Sequence, residues 1–140
     1  MAVKKKYVSW NDLDADVFKL ASKVENVDYV VGIPRGGLII AVMLSHLLGA
    51  KHMTVDHLEK LEEFDLEIDK KTILIVDDIS DSGQTLKQYK KAGYQTATLD
   101  VRNTTITKPD HYCNWLKTTD WIVYPWERED SKTIQDYLDN

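Results

Sequence analysis

The stretch Lys71–Leu86, KTILIVDDISDSGQTL, decides the fold. Four consecutive β-compatible apolar residues, Ile73, Leu74, Ile75 and Val76, predict a strand covered on both faces, as in a parallel sheet. Asp77 and Asp78 follow at its carboxyl end. In open α/β sheets that end opens onto the ligand crevice, where two adjacent carboxylates accept hydrogen bonds from vicinal hydroxyls. Asp81, Ser82, Gly83, Gln84 and Thr85 come next. Gly83 permits a positive φ, and the hydroxyls of Ser82 and Thr85, with the free amides that open the following helix, suit a phosphate. Acids for hydroxyls beside a phosphate cradle imply a phosphorylated sugar.

A second turn of the same design lies upstream. GIPRGGL, Gly32–Leu38, again runs from a strand through a tight turn into a helix. Gly36 and Gly37 let backbone amides face an anion, the helix start adds partial positive charge, and Arg35 supplies a guanidinium. Two phosphate-type turns after two strands fit a ligand with phosphate at one end and pyrophosphate at the other.

Outward from these turns the chain alternates helix and strand. Ser9 and Asp12 form a capping pair for a first helix, with Leu13, Val17, Leu20 and Val24 on one face. Tyr29–Ile33 is a short buried strand, and LIIAVMLSHLL, ended by Gly49, is a helix packed on a sheet. Met53–Val55 is expected to be a strand, and Phe64–Asp69, FDLEID, a half-exposed strand of a small acidic hairpin. A helix over Thr85–Ala92 closes at Gly93, Gln95–Val101 is another strand, and Asp130–Leu138 a short final helix capped by Ser131. This order predicts an α/β, doubly wound, mainly parallel sheet.

Length and composition fit one domain over residues 1–140. With 43% hydrophobic and 29% charged residues the chain can bury one core, and it is too short for two ordinary domains. A net charge of −5 gives no reason to expect nucleic acid or an anionic membrane as a partner. No apolar run approaches the ~20 residues of a membrane span, and Cys113 is the only cysteine, so a cytoplasmic protein without disulfides is expected. His46, His52, His57 and His111 show no metal-ligand spacing.

The strand, acid pair and DSGQT loop resemble the ribose-phosphate motif of type I phosphoribosyltransferases. With YVSWND, VGIPRGGL and DWIVYPWE, the likeness extends over nearly the whole chain and is strongest to the bacterial xanthine-guanine enzymes. It implies the type I fold with a small hood drawn mainly from about 102–128, and transfer of 5-phosphoribosyl from phosphoribosyl pyrophosphate (PRPP) to N9 of guanine, xanthine or hypoxanthine in purine salvage. PRPP, a 6-oxopurine and a nucleoside monophosphate would be its ligands, Mg²⁺ its cofactor, and a homodimer or homotetramer its assembly.

The resemblance also implies roles for particular residues. Arg35, Gly36 and Gly37 belong to the pyrophosphate loop, with a cis peptide between Pro34 and Arg35. Asp77 and Asp78 hold the ribose hydroxyls, Asp78 also lying near the metal, and Ser82, Gly83, Gln84 and Thr85 cradle the 5′-phosphate. Asp81 is the catalytic group beside purine N7. Trp121 stacks on the base, Ile122 bonds it through the backbone, Glu127 lies near its exocyclic group at position 2, and Arg102 stands where a lysine usually donates to the 6-oxo oxygen. Between Asp56 and Lys71 the family carries a mobile lid, whereas this chain has seven acids there, Asp56, Glu59, Glu62, Glu63, Asp65, Glu67 and Asp69, around Lys60. A non-catalytic nucleotide-sensing relative is therefore the alternative. A receiver-type signalling domain also ends a strand in paired acids, but it requires neither GIPRGG nor DSGQT.

Overall fold

A computed structural model describes residues 4–64 and 67–128. The central feature is a five-stranded sheet in which every pairing is parallel. In chain order its strands are β2 (Tyr29–Gly32), β3 (Lys51–Met53), β4 (Ile73–Ser80), β5 (Gln95–Arg102) and β6 (His111–Leu116). In space the order is β3-β2-β4-β5-β6. A separate parallel pair joins β1 (Lys5–Tyr7) to β7 (Trp121–Val123). Segment 102–128 is thus divided, since β6 is an edge of the main sheet and only β7 joins the second one.

Alternation along β4 separates two cores. Leu74 and Val76 pack with Leu13, Val17 and Leu20 of α1 (Trp10–Ala21) and with Ile40 and Leu44 of α2 (Gly36–Leu48). Ile73 and Ile75 face the other way, onto Leu58 of α3 (Val55–Glu63) and Leu86 of α4 (Gln84–Ala92). All four β4 residues are at most 2% exposed, as a strand covered on both faces requires. The α1 start is the expected capping box: Asp12 N donates to Ser9 Oγ at 3.0 Å and Ser9 N to Asp12 Oδ2 at 3.2 Å.

Several boundaries differ from expectation. β4 runs on through Asp77 and Asp78 to Ser80 rather than ending at Val76, because its backbone keeps pairing with β5 to Val101. The strand expected at Met53–Val55 is Lys51–Met53; Thr54 caps α3, its hydroxyl accepting from His57 N at 3.1 Å. The acidic hairpin is corrected to this helix. Val55, Leu58 and Leu61 recur at helical spacing and pack on the sheet, while Asp56, Glu59 and Glu63 point outward. Of FDLEID, Phe64 is the helix C-cap and Asp69 caps a 3₁₀ turn over Lys70–Thr72; residues 65 and 66 lie outside the described residues. The helix expected at Asp130–Leu138 also lies outside them. β1, β6 and β7 were not expected from the sequence.

The winding positions the site. From β2 the chain passes through α2 to β3 at one edge, whereas from β4 it passes through α4 to β5 on the opposite side. The loops leaving β2 and β4 therefore diverge, and their carboxyl ends bound a crevice at the topological switch point.

Candidate active site

That crevice holds a cavity of about 700 Å³. Its walls come from the β2–α2 turn (Pro34, Arg35, Gly36), the end of β4 with the turn after it (Asp77 through Gly83), the start of α4, Arg102, and the segment from Trp121 to Glu127. Both glycine turns and the acid pair thus converge. The Pro34–Arg35 peptide is cis, as the resemblance implies.

Close backbone approach explains the glycines. A Cβ on Gly36 would run into the Asp78 carboxylate, and one on Gly37 into the Val76 carbonyl. Gly37 N donates to Ile33 O at 2.9 Å, so its amide is committed to the turn and the residue does not line the cavity. Gly83 has φ +85° and a Cβ there would strike Thr105 Oγ1 and Thr107 N. Gln84 starts α4 but lies outside the lining, while Ser82 and Thr85 are within it.

A neighbouring loop braces the second turn. Ser80 Oγ donates to Thr107 O at 2.8 Å and lies 2.9 Å from Thr105 Oγ1, and Ile106 N donates to Ser82 O at 2.9 Å. Gly83 gives α4 no side-chain cap, so the helix start is left open toward the cavity apart from a 3.3 Å bond from Gln84 N to Ser82 Oγ.

The floor is electrostatically loaded. Asp77 Oδ1 accepts from Asp78 N at 2.9 Å and Asp78 Oδ1 from Ile79 N at 2.8 Å. Burial, then the negative charge of Asp78, holds the Asp77 carboxyl well above the ordinary range; burial lifts Asp78 to about 6, with Glu127 adding to the rise. Such a floor favours hydroxyl donors and cations.

Arg102 and Asp81 form an ion pair across the opening, Nε donating to Oδ1 at 3.3 Å. Asp81 is 64% exposed at its side chain and Arg102 only 12%. The guanidinium is further fixed because Nη1 donates to Thr118 O at 2.8 Å and Asp120 O at 3.0 Å. Among the described residues Nη2 is left for a ligand. Trp121, 38% exposed, is a wall of the cavity and not a core aromatic.

Tyr124 and Trp126 are among the lining residues to which the sequence assigns no role. Tyr124 is 3% exposed, stacks on Trp126 at 5.1 Å between centroids, and donates its hydroxyl proton chiefly to Asp100 Oδ2 at 2.7 Å. Its backbone N donates to Glu127 Oε1 at 2.9 Å, fixing that carboxylate in the wall. Both tyrosine and Trp126 sit in an apolar string that reads equally well as core. Asp100 carried a usable signal: it is another acid near the carboxyl end of a buried strand.

No protein-family model matches the chain. A xanthine-guanine phosphoribosyltransferase of Cereibacter sphaeroides is 30% identical, over 86% of each chain. The purine phosphoribosyltransferase of Pyrococcus horikoshii is 32% identical with a TM-score of 0.71, covering 94% of this chain and 99% of its own. A hypothetical protein of Neisseria gonorrhoeae solved with bound ppGpp shares the fold, with a TM-score of 0.72 at 21% identity and 93% coverage of both chains. With identity of 30% or more over most of both chains, the chain belongs to the purine phosphoribosyltransferases of the type I family.

Proposed function

We propose that the chain transfers the 5-phosphoribosyl group of PRPP to N9 of a 6-oxopurine and releases pyrophosphate. The observation that carries this reading is the convergence of an acid pair, two glycine turns and an exposed indole face on one cavity. Asp77 and Asp78 accept hydrogen bonds from the ribose hydroxyls. The Ser82–Thr85 turn and the α4 start hold the 5′-phosphate, and Arg35 with Gly36 holds pyrophosphate. Gly37 and Gln84 serve by close packing and by starting the helix. The base stacks on Trp121, meets the backbone of Ile122, presents its 6-oxo oxygen to Arg102 and its position-2 group to Glu127.

In the reaction the bond from C1 to pyrophosphate breaks as the bond to N9 forms, and the sugar becomes oxocarbenium-like. The carboxylate floor stabilises that positive charge. Asp81 accepts the purine N7 proton, and Arg102, fixed by two carbonyls, orients both Asp81 and the base. Mg²⁺ fits this donor set. Asp77 and Asp78 are hard oxygen donors in a site whose burial penalises uncompensated negative charge. Among the described residues no three His, Cys, Asp or Glu side chains form a metal cage, which suits an ion carried largely by substrate oxygens. When bound, Mg²⁺ neutralises charge developing on the pyrophosphate.

The test is pyrophosphate release and nucleotide formation with PRPP, Mg²⁺ and guanine, xanthine or hypoxanthine in parallel. Turnover with any one supports the reading and gives the base preference. A second reading, a nucleotide-binding regulator of the same fold, draws on the ppGpp-bound neighbour and the acidic α3. Guanine-nucleotide binding without turnover would establish it instead.

A further inference from the structure

Like Arg102 at the rim of the cavity, Tyr124 ties the segment around β7 to β5 and β4. Its residue follows β7, which carries Trp121 and Ile122; its hydroxyl lies 2.7 Å from Asp100 Oδ2 on β5 and 3.3 Å from the carbonyl of Asp78 on β4. A phenol has one proton, so Asp100 is its main acceptor and the Asp78 carbonyl shares it weakly. Asp100 is in turn anchored from behind. Asn114 Nδ2 on β6 donates to Asp100 Oδ1 at 3.0 Å and to Asp16 Oδ2 on α1 at 3.2 Å. Stacking on Trp126, with ring planes 4° from parallel, fixes the tyrosine ring in the remaining direction.

We infer that the Tyr124–Asp100 pair is a positioning device that sets the spacing between the purine wall and the ribose acids. This rests on the function proposed above. The reacting atoms, N9 of the base and C1 of the sugar, are held by opposite walls, so their separation is a property of whatever joins those walls. Misplacement by even about 1 Å costs roughly 100-fold in rate, which makes a strut between the walls a rate-determining feature without any contact to the reacting atoms.

A buried tyrosine–carboxylate bond also contributes to stability, and the experiment separates the two roles. Tyr124→Phe removes the hydroxyl and leaves Asp100 partly unsatisfied. The double variant Tyr124→Phe/Asp100→Leu replaces both partners with apolar groups, which restores stability when a pair is merely structural. Three quantities are read for wild type and both variants: the melting temperature, the affinities for PRPP and for GMP, and kcat for nucleotide formation. PRPP leaves the purine wall unused, whereas GMP spans from the purine wall to the ribose acids. The expected result is PRPP affinity within about twofold of wild type in both variants, with GMP affinity and kcat each lowered about tenfold or more. Both losses are expected to persist in the double variant although its melting temperature recovers. Recovery of kcat and GMP affinity together with the melting temperature, or equal effects on PRPP and GMP, would overturn the inference while leaving the proposed function standing. A wild-type protein with neither GMP binding nor turnover would overturn both.

Discussion

Asp77 and Asp78 stand side by side near the end of β4, and burial raises both carboxyls above the ordinary range, Asp78 to about 6. In the unfolded chain such groups titrate near 4, so between that pH and the folded values the native state binds more protons. The contribution of this pair to stability is consequently full at low pH and declines as pH rises above about 4, the Asp78 part through about 6 and the Asp77 part as its own raised value is passed. Relative to wild type, Asp78→Asn is expected to raise the melting temperature of the ligand-free protein at pH 8, to have little effect at pH 4, and to lose most turnover. Thermal unfolding across that range checks the sign. Asp81 lies outside this pair, exposed and held by Arg102. Asp81→Asn preserves an acceptor for Arg102 Nε but removes a proton acceptor. Turnover is expected to fall about 100-fold with PRPP affinity nearly unchanged, and equal losses measured kinetically would remove its assigned role. The acid pair was legible because two carboxylates directly after a buried apolar strand are costly to desolvate unless a ligand or cation meets them there. Tyr124 was not legible, since its hydroxyl partner is supplied by a strand more than twenty residues away.

At the scale of elements, the contrast between α3 and β4 shows where pattern reading succeeds. β4 has four apolar residues in a row and only a buried strand accommodates them in this context. In α3 a single fully buried residue, Leu58, anchors an otherwise acidic stretch, and FDLEID next to it offered a competing period of two. Thr54 decides the matter by capping the helix. Leu58→Ala should destabilise the protein by about 2–5 kcal/mol in denaturant unfolding, as a fully buried leucine at a helix–sheet contact does. By contrast, Glu59→Gln together with Glu63→Gln should leave the KM for PRPP within about twofold, because α3 contributes nothing to the cavity wall. A larger change in steady-state kinetics would bring the acidic helix into the reaction. Short strands such as β1, β3 and β7, three residues each, lack enough sequence to declare a period and are fixed by their partners instead.

For the molecule as a whole, the doubly wound order was legible from the alternation of elements, while the strand neighbours were not, because parallel pairing depends on contacts distant in sequence. A nucleotide spanning the switch-point crevice should stabilise the native state by about 2.7 kcal/mol at a concentration of 100 times its Kd, and thermal unfolding with and without GMP measures that shift.

The pairing of β1 with β7 orders events in time. Lys6 is matched with Ile122, and the flanking bonds, Trp121 N to Lys4 O at 2.8 Å and Val8 N to Val123 O at 2.9 Å, show that the polar groups of Lys6 face β7. Lys6→Pro would withdraw the central donor of this ladder and is expected to weaken purine binding more than PRPP binding, as titration of each ligand would show. A chain emerging from the ribosome presents β2, α2, β4 and the phosphate-type turn long before Trp121, and β1 must wait for its partner throughout. On the proposed assignment of the walls, the growing protein therefore acquires its place for a phosphorylated sugar first and its place for the attacking base last.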